Sequence, residues 1–344
     1  MLFAWSKKMK INYLLCIITS ASAFISCSDK PTPYYVVDKI RTPTAQVYSQ
    51  TPTPPSSTQG CVAGSTVFYN ADTSTWCQQY PVRPAGTLNA ATSVKLRFLV
   101  LAPAGSTVTL TPTSLNIFDL GLFLGSPGNG ARGINPSTPT TEIPLSDFSF
   151  SLDSTLSTTA QTTPMQIQTV VFNFTPPNLN ALIAYAQVHN FFPGFVLSYS
   201  SSSPTQNYID NGYFTFYLLP DPADTASWTT LTSGVSSFVS GAVLAQAKAL
   251  STLNIPIQIS SVSPANSNAV AAQSDNNISA ALTYNPSPFS FSPVQWYVSA
   301  GTINNDRAMS TSWNPNQGGG VSSVFVARDL LGGMDFSLNN YTAQ

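Results

Sequence analysis

Between Cys61 and about Asp224 the chain is cut into short runs of strand character, some alternating apolar with polar residues and others rich in β-branched and aromatic residues. Phe148-Ser149-Phe150-Ser151-Leu152 alternates strictly, and Val94-Lys95-Leu96-Arg97-Phe98-Leu99-Val100 alternates in part, with Lys95 and Arg97 on one face. Val170-Val171-Phe172-Asn173-Phe174, Phe195-Val196-Leu197-Ser198-Tyr199 and Tyr213-Phe214-Thr215-Phe216-Tyr217 are rich in β-branched and aromatic residues, which fit a pleated, half-buried surface. Clusters such as Ser126-Pro127-Gly128-Asn129-Gly130 punctuate them. Short strands between turn signals predict a mainly β fold, with a β-sandwich-like N-terminal domain over residues 61–230.

Two stretches depart from that period. Pro177 to His189 places Leu179, Leu182, Ile183 and Ala186 on one helical face, with Asn178 in position to cap it. Val235, Phe238, Val239, Ala242, Val243, Ala247 and Leu250 recur at helical spacing after Thr232 or Ser233 as cap, and Pro256 follows. This predicts a connecting helix over 231–254, packed on the first domain or between domains. A helix lying on a membrane carries a basic polar face, and here only Lys248 is charged.

The N-terminal end decides the compartment. Lys7, Lys8 and Lys10 precede the apolar run Tyr13 to Thr19, and small residues follow at Ser20 to Ala23. That order is an export signal, too short to span a bilayer, which takes ~20 apolar residues. Two cleavage sites compete. Ala21-Ser22-Ala23 suits cleavage before Phe24. Phe24-Ile25-Ser26-Cys27 resembles the lipobox of bacterial lipoproteins, with phenylalanine where leucine is usual. The resemblance implies a signal peptide over 1–26, acylation of Cys27 and attachment to a membrane through that lipid. Ser28, not aspartate, follows the cysteine, which by the same resemblance favours the outer membrane or cell surface. The other cleavage site gives a secreted or periplasmic protein. Residues 27–60 hold six prolines and the run Thr51-Pro52-Thr53-Pro54-Pro55, so they read as an extended linker, interrupted by Tyr34-Tyr35-Val36-Val37, which could add a strand to a sheet. Cys61 and Cys77 remain as an even pair in an exported chain, which makes a disulfide the default. A metal site fits worse, because the spacing is not that of a zinc knuckle and the single histidine, His189, is distant in sequence.

The most specific pattern lies in residues 255–344: Pro293-Val294-Gln295-Trp296-Tyr297-Val298, then Gly301-Thr302-Ile303, Trp313-Asn314-Pro315, Gly318-Gly319-Gly320, Val324-Phe325-Val326, Arg328-Asp329 and Gly332-Gly333. It resembles the immunoglobulin-like and PKD-like modules of bacterial surface proteins, but lacks the Gly-Asp-Gly turn that PKD modules place after the Trp strand. The resemblance implies a C-terminal Ig-like β-sandwich with Trp296 between its sheets. It also implies Asp329 capping a turn that Gly332 and Gly333 relax, and a spacer or adhesive role without catalysis.

Chemistry is harder to find. Charged residues make up 8% of the chain, against about 25% in average soluble domains. From Cys27 onward ten Lys and Arg face fourteen Asp and Glu, a balance that excludes a nucleic-acid partner, which needs a basic face. No GxSxG elbow, DxDxDG calcium loop or Gly-rich phosphate loop occurs, and His189, near the end of a predicted helix, reads as a capping or buried contact. Many of the aspartates sit in turn contexts, such as Asp210-Asn211-Gly212, Asp221-Pro222-Ala223-Asp224 and Asp275-Asn276-Asn277. No cofactor or metal is implied, and the chain reads as a non-enzyme. Its expected role is a binding, adhesion or structural module with a protein or glycan partner; the rival is a carbohydrate-binding or carbohydrate-active surface protein. Trp76, Tyr80, Phe191, Phe192, Tyr208, Tyr213 and Trp228 are aromatics in loop-like contexts, and Trp228 is the candidate for an exposed binding ring.

Overall fold

The computed structural model describes residues 33–50, 76–78, 94–119, 141–143, 145, 149–154, 158–162, 164–220, 223–252, 258–283, 294–328 and 334–344. The chain divides after Tyr34, and the body considered below is Tyr35–Gln344. Its N-terminal part holds strands β1 (Arg41–Gln50), β2 (Trp76–Gln78), β3 (Val94–Pro103), β4 (Thr109–Asp119), β5 (Thr141–Ile143), β6 (Ser149–Leu152), β7 (Thr158–Thr162), β8 (Met165–Thr175), β9 (Pro193–Ser203) and β10 (Tyr208–Phe216). Helix α1 (Leu179–His189) joins β8 to β9, and helices α2 (Thr225–Val235) and α3 (Gly241–Thr252) follow β10. The C-terminal part holds β11 (Gln258–Ser263), β12 (Ala269–Val270), β13 (Asn276–Thr283), β14 (Val294–Val298), β15 (Thr302–Ile303), β16 (Ser310–Asn314), β17 (Gly319–Arg328) and β18 (Met334–Ala343).

The first sandwich has one sheet in the order β2-β1-β3-β8-β6, with β7 also on β8, and a second in the order β10-β9-β4-β5. Alternation along β3 sends Leu96, Phe98, Val100 and Ala102 between the sheets to meet Leu115, Leu197, Tyr199 and Phe216. Phe98 packs edge-on to Tyr199 at 4.7 Å and to Phe172 at 5.5 Å, an arrangement aromatic quadrupoles favour. The expected helix over 177–189 is present: Asn178 caps it by accepting the Ala181 N–H at 2.9 Å, and Leu179, Leu182, Ile183 and Ala186 are its buried face. The second expected helix is two. The chain turns at Ser236 to Ser240, where the Ser240 hydroxyl accepts the Val243 N–H at 3.3 Å and starts α3. The apolar stripe ran through this corner in the sequence because Val235 and Val239 are buried on both sides of it.

The C-terminal sheets run β11-β13-β16-β15 and β12-β18-β17-β14, antiparallel apart from the β12–β18 pair. In immunoglobulin lettering this is A-B-E-D against A′-G-F-C, the strand order of an Ig-like sandwich. Trp296 on β14 is fully buried 4.6 Å from Phe325, where antibody domains place a disulfide, and its indole N–H reaches the Ala308 carbonyl at 2.9 Å. Trp313 on β16 is equally buried, with its N–H on the Ala300 carbonyl at 2.9 Å. Gly301 has φ +97°, and a Cβ there would lie 2.0 Å from the Asn314 carbonyl oxygen, so only glycine makes this turn. Asp329, Gly332 and Gly333 lie outside the described residues.

The expected linker over 27–60 is corrected from Tyr35 onward. Val36 forms a parallel bridge to Val298 on the free edge of β14; the Val37 N–H donates to the Val298 carbonyl and the Val298 N–H to the Tyr35 carbonyl, both at 2.8 Å. The chain then enters the first sandwich as β1, paired on both sides by β2 and β3. Proline content suggested a spacer because proline removes a ladder donor. Pro43, however, falls where the register with β3 slips between Arg41 and Thr44, and a bulge tolerates a missing N–H.

The two sandwiches share a third core. Leu99 and Leu101 on the outer face of β3, with Met165, Ile167 and Val37, pack against Tyr297, Val324, Val326, Met334 and Phe336 of the C-terminal sandwich. A buried side chain of this size contributes about 1.5–3 kcal/mol relative to exposure, so this seam outweighs the polar contacts around it, worth about 0–1 kcal/mol each at a surface. Arg97 lies on the same face of β3 and is buried, as is Asp335 on β18. Burial pushes the Asp335 carboxyl up to about 7, against the pull of the Ile259 and Phe336 N–H groups and of the Arg97 charge. Its ordinary value is 3.8, so between these values the folded chain holds a proton that the unfolded chain has lost. Stability from this group is full below about pH 4 and falls as pH rises through about 7, by on the order of 4 kcal/mol. The urea midpoint of the full chain should therefore drop between pH 5 and pH 8, and Asp335→Asn should flatten that drop; an unchanged slope in the variant would contradict the burial argument.

Candidate binding groove

Asp224 starts α2. Its carboxylate accepts the Ser227 N–H at 3.0 Å and the Ser227 hydroxyl at 2.7 Å, and these bonds hold it below its ordinary value. From that cap, helical spacing turns Trp228, Leu231 and Val235 to one buried face. α2 lies close to α1 because Gly234 has no side chain: a Cβ there would be 2.6 Å from Ile183 Cγ2. On the other side α2 and α3 leave a groove of about 440 Å³ lined by Thr225, Trp228, Thr229, Thr232, Leu244 and Lys248.

Trp228 does not present an exposed ring. It is 4% exposed, and the Lys248 ammonium stands 5.9 Å from its ring centroid, at the outer limit of a cation–π contact. The sequence context looked like a loop because Asp, Ala, Thr and Ser crowd the start of α2; those residues serve the helix end, and the tryptophan joins the core. The Thr229 hydroxyl donates to the Thr225 carbonyl at 2.8 Å, so the rim is partly turned back on the helix. The groove can receive a small apolar group beside one cation, but nothing in its lining can serve as a general acid–base pair.

The other candidates have structural partners. Asp210 accepts the Thr42 N–H at 2.6 Å and the Thr42 hydroxyl at 2.8 Å, tying β10 to β1. Asp306 accepts from Gln295 at 3.0 Å, and His189 stacks on Phe191 at 5.4 Å. Phe192 is buried, whereas Tyr213 is 49% exposed, so the open ring is Tyr213 and not Trp228. Among the described residues no three His, Cys, Asp or Glu side chains gather as a metal site would require, and no helix is long and apolar enough to cross a membrane. Cys27, Cys61, Trp76's side chain, Tyr80 and Asp221 lie outside the described residues; the backbone of Cys77 pairs with Ser49, but its side chain is likewise outside them.

No protein family matches the chain, and no curated protein does. Among solved structures, the tandem Ig repeats of Dlar align over 73% of this chain and 89% of theirs, at 6% identity and a TM-score of 0.22. The D0–D1 domain of intimin aligns over 72% and 90%, at 8% and 0.18. The N-terminal eight Ig domains of Down syndrome cell adhesion molecule align over 90% of this chain and 35% of theirs, at 10% and 0.20. At such scores the Ig-like assignment rests on the strand order of β11 to β18. Since Trp228 is a core residue, Trp228→Ala should lower unfolding stability by about 3–5 kcal/mol in urea titration. A variant as stable as the parent would return the ring to the surface.

Proposed function

We propose that this is a lipid-anchored envelope protein of a bacterium, attached through Cys27, that acts as a binding, adhesion or structural module and not as an enzyme. The observation that carries the reading is the seam: an Ig-order sandwich is fixed face to face on a second sandwich, and Lys39, Arg41, Lys95, Arg97 and Arg328 all sit on the segments that meet there. Arg41 bonds to Asp38 at 2.9 Å, Lys95 to Asp153 at 2.5 Å, and Arg328 to the Pro43 carbonyl at 3.0 Å. Of these, the Arg328 bond ties the two halves together, while the other two pairs engage charges within the N-terminal part, and the body offers sheet faces to a partner. The export signal and the cysteine at its end supply the anchor.

The anchor would be short. Seven residues separate Cys27 from Tyr35, where the packed body begins, a reach of at most about 25 Å. Ser28 after the cysteine favours an outer-membrane or cell-surface location over a periplasmic one, and a scarcity of charged residues suits a protein or glycan partner. Detergent phase partitioning of cell fractions tests the anchor. The parent should enter the detergent phase and Cys27→Ser should leave it; a Cys27→Ser protein that still partitions with membranes would refute lipid attachment.

A further inference from the structure

Over three rows the sheet β10-β9-β4 turns its second face away from the cores, and in the next row Val196 is buried. Cross-strand register sets three rows on it: Thr109, Ser202 and Ile209; Thr111, Ser200 and Asn211; Ser114, Ser198 and Tyr213. A bulge after Pro112 adds Thr113 to the same face, and the Asn116 amide lies 3.5 Å from the Ser114 hydroxyl beside it. Strand spacing makes the rows about 10 Å wide and the face about 14 Å long. Thr109, Thr111, Thr113 and Asn211 are exposed, and the three serines of β9 are half-buried. These three rows contain no Lys, Arg, Asp or Glu.

At the edge of this face stand two of the large apolar side chains that the described residues expose, Ile209 at 62% and Tyr213 at 49%. The Tyr213 ring is held in place: the Arg328 guanidinium lies 5.7 Å from its centroid and is itself tied to the Pro43 carbonyl. The outward face of β13 and β16 is also neutral, with Asn277, Ser279, Ser310 and Ser312, but it exposes no large apolar side chain.

We infer that the outward face of β4, β9 and β10 binds an uncharged polysaccharide. The inference rests on reading the protein as a binding module and names the ligand class of that module. Charge complementarity decides the class: the three rows carry no charged side chain, and the neighbouring Arg328 guanidinium is engaged by the Pro43 carbonyl, so the rows offer little to a nucleic acid or an anionic surface. Serine, threonine and asparagine both donate and accept, which suits the hydroxyls of a sugar chain. The π face of a fixed tyrosine suits the C–H face of a pyranose. A second copy of the chain fits less well, because two apolar side chains cannot form the apolar core of a stable interface.

The test uses the full chain purified in detergent, with immobilised dextran, mannan, xyloglucan and chitohexaose as probes and dextran sulfate as the charged control. At least one neutral probe should bind, and dextran sulfate should bind no better. Tyr213→Ala and Ser200→Asp should each weaken that binding by about tenfold or more, with a melting temperature close to the parent's. If Tyr213→Ala unfolds, Ser200→Asp and Asn211→Asp carry the test. Undiminished binding by the folded variants would overturn this site while leaving the binding-module reading standing. Binding to none of the neutral probes, or a preference for dextran sulfate, would overturn the ligand class; chemical cross-linking to envelope proteins would then judge the module reading separately.

Discussion

Everything above depends on the apolar contact between the outer face of β3 and β8 and the outer face of β14, β17 and β18. A sheet of an ordinary sandwich buries one face and wets the other. Here Leu99, Leu101, Met165 and Ile167 make the second face of the N-terminal sheet apolar as well, and it is covered by Val324, Val326, Met334 and Phe336. The result is four sheets in a stack and three cores. Arg97 is a charged group buried on the β3 face of this contact, whereas Asp335 alternates to the other face of β18 and takes the Ile259 N–H, where burial raises its carboxyl.

The seam also explains the surface. The segment Tyr35 to Arg41 crosses from the edge of β14 to the first sandwich; Arg41 folds back on Asp38 and the Val36 carbonyl, and Lys39 reaches over the Tyr208 ring of β10. The outward rows of β4, β9 and β10 carry Ser, Thr and Asn instead of charges.

The parts of this architecture that follow local rules were legible in the sequence. Period two located β3 and β6, and runs of β-branched and aromatic residues located β8, β9 and β10; Asn178 marked its helix; and the Trp296 motif marked the Ig-like sandwich. What failed was everything set by distant contacts. Lys95 and Arg97 share the face of β3 that a second sandwich covers, and a sequence does not show that cover. Prolines hid β1, whose strand survives through a bulge at Pro43 and through pairing with residues some fifty positions away. A continuous apolar stripe concealed the corner between α2 and α3. Tyr213 and Trp228 were both candidate rings by context, and only packing separates the exposed one from the buried one.

The central claim is that the two sandwiches are one cooperative body. Scanning calorimetry of the full chain measures this directly, because a shared core couples the unfolding of both halves. The account predicts a single transition whose calorimetric and van't Hoff enthalpies agree. Two resolved transitions, one for each sandwich, would contradict it.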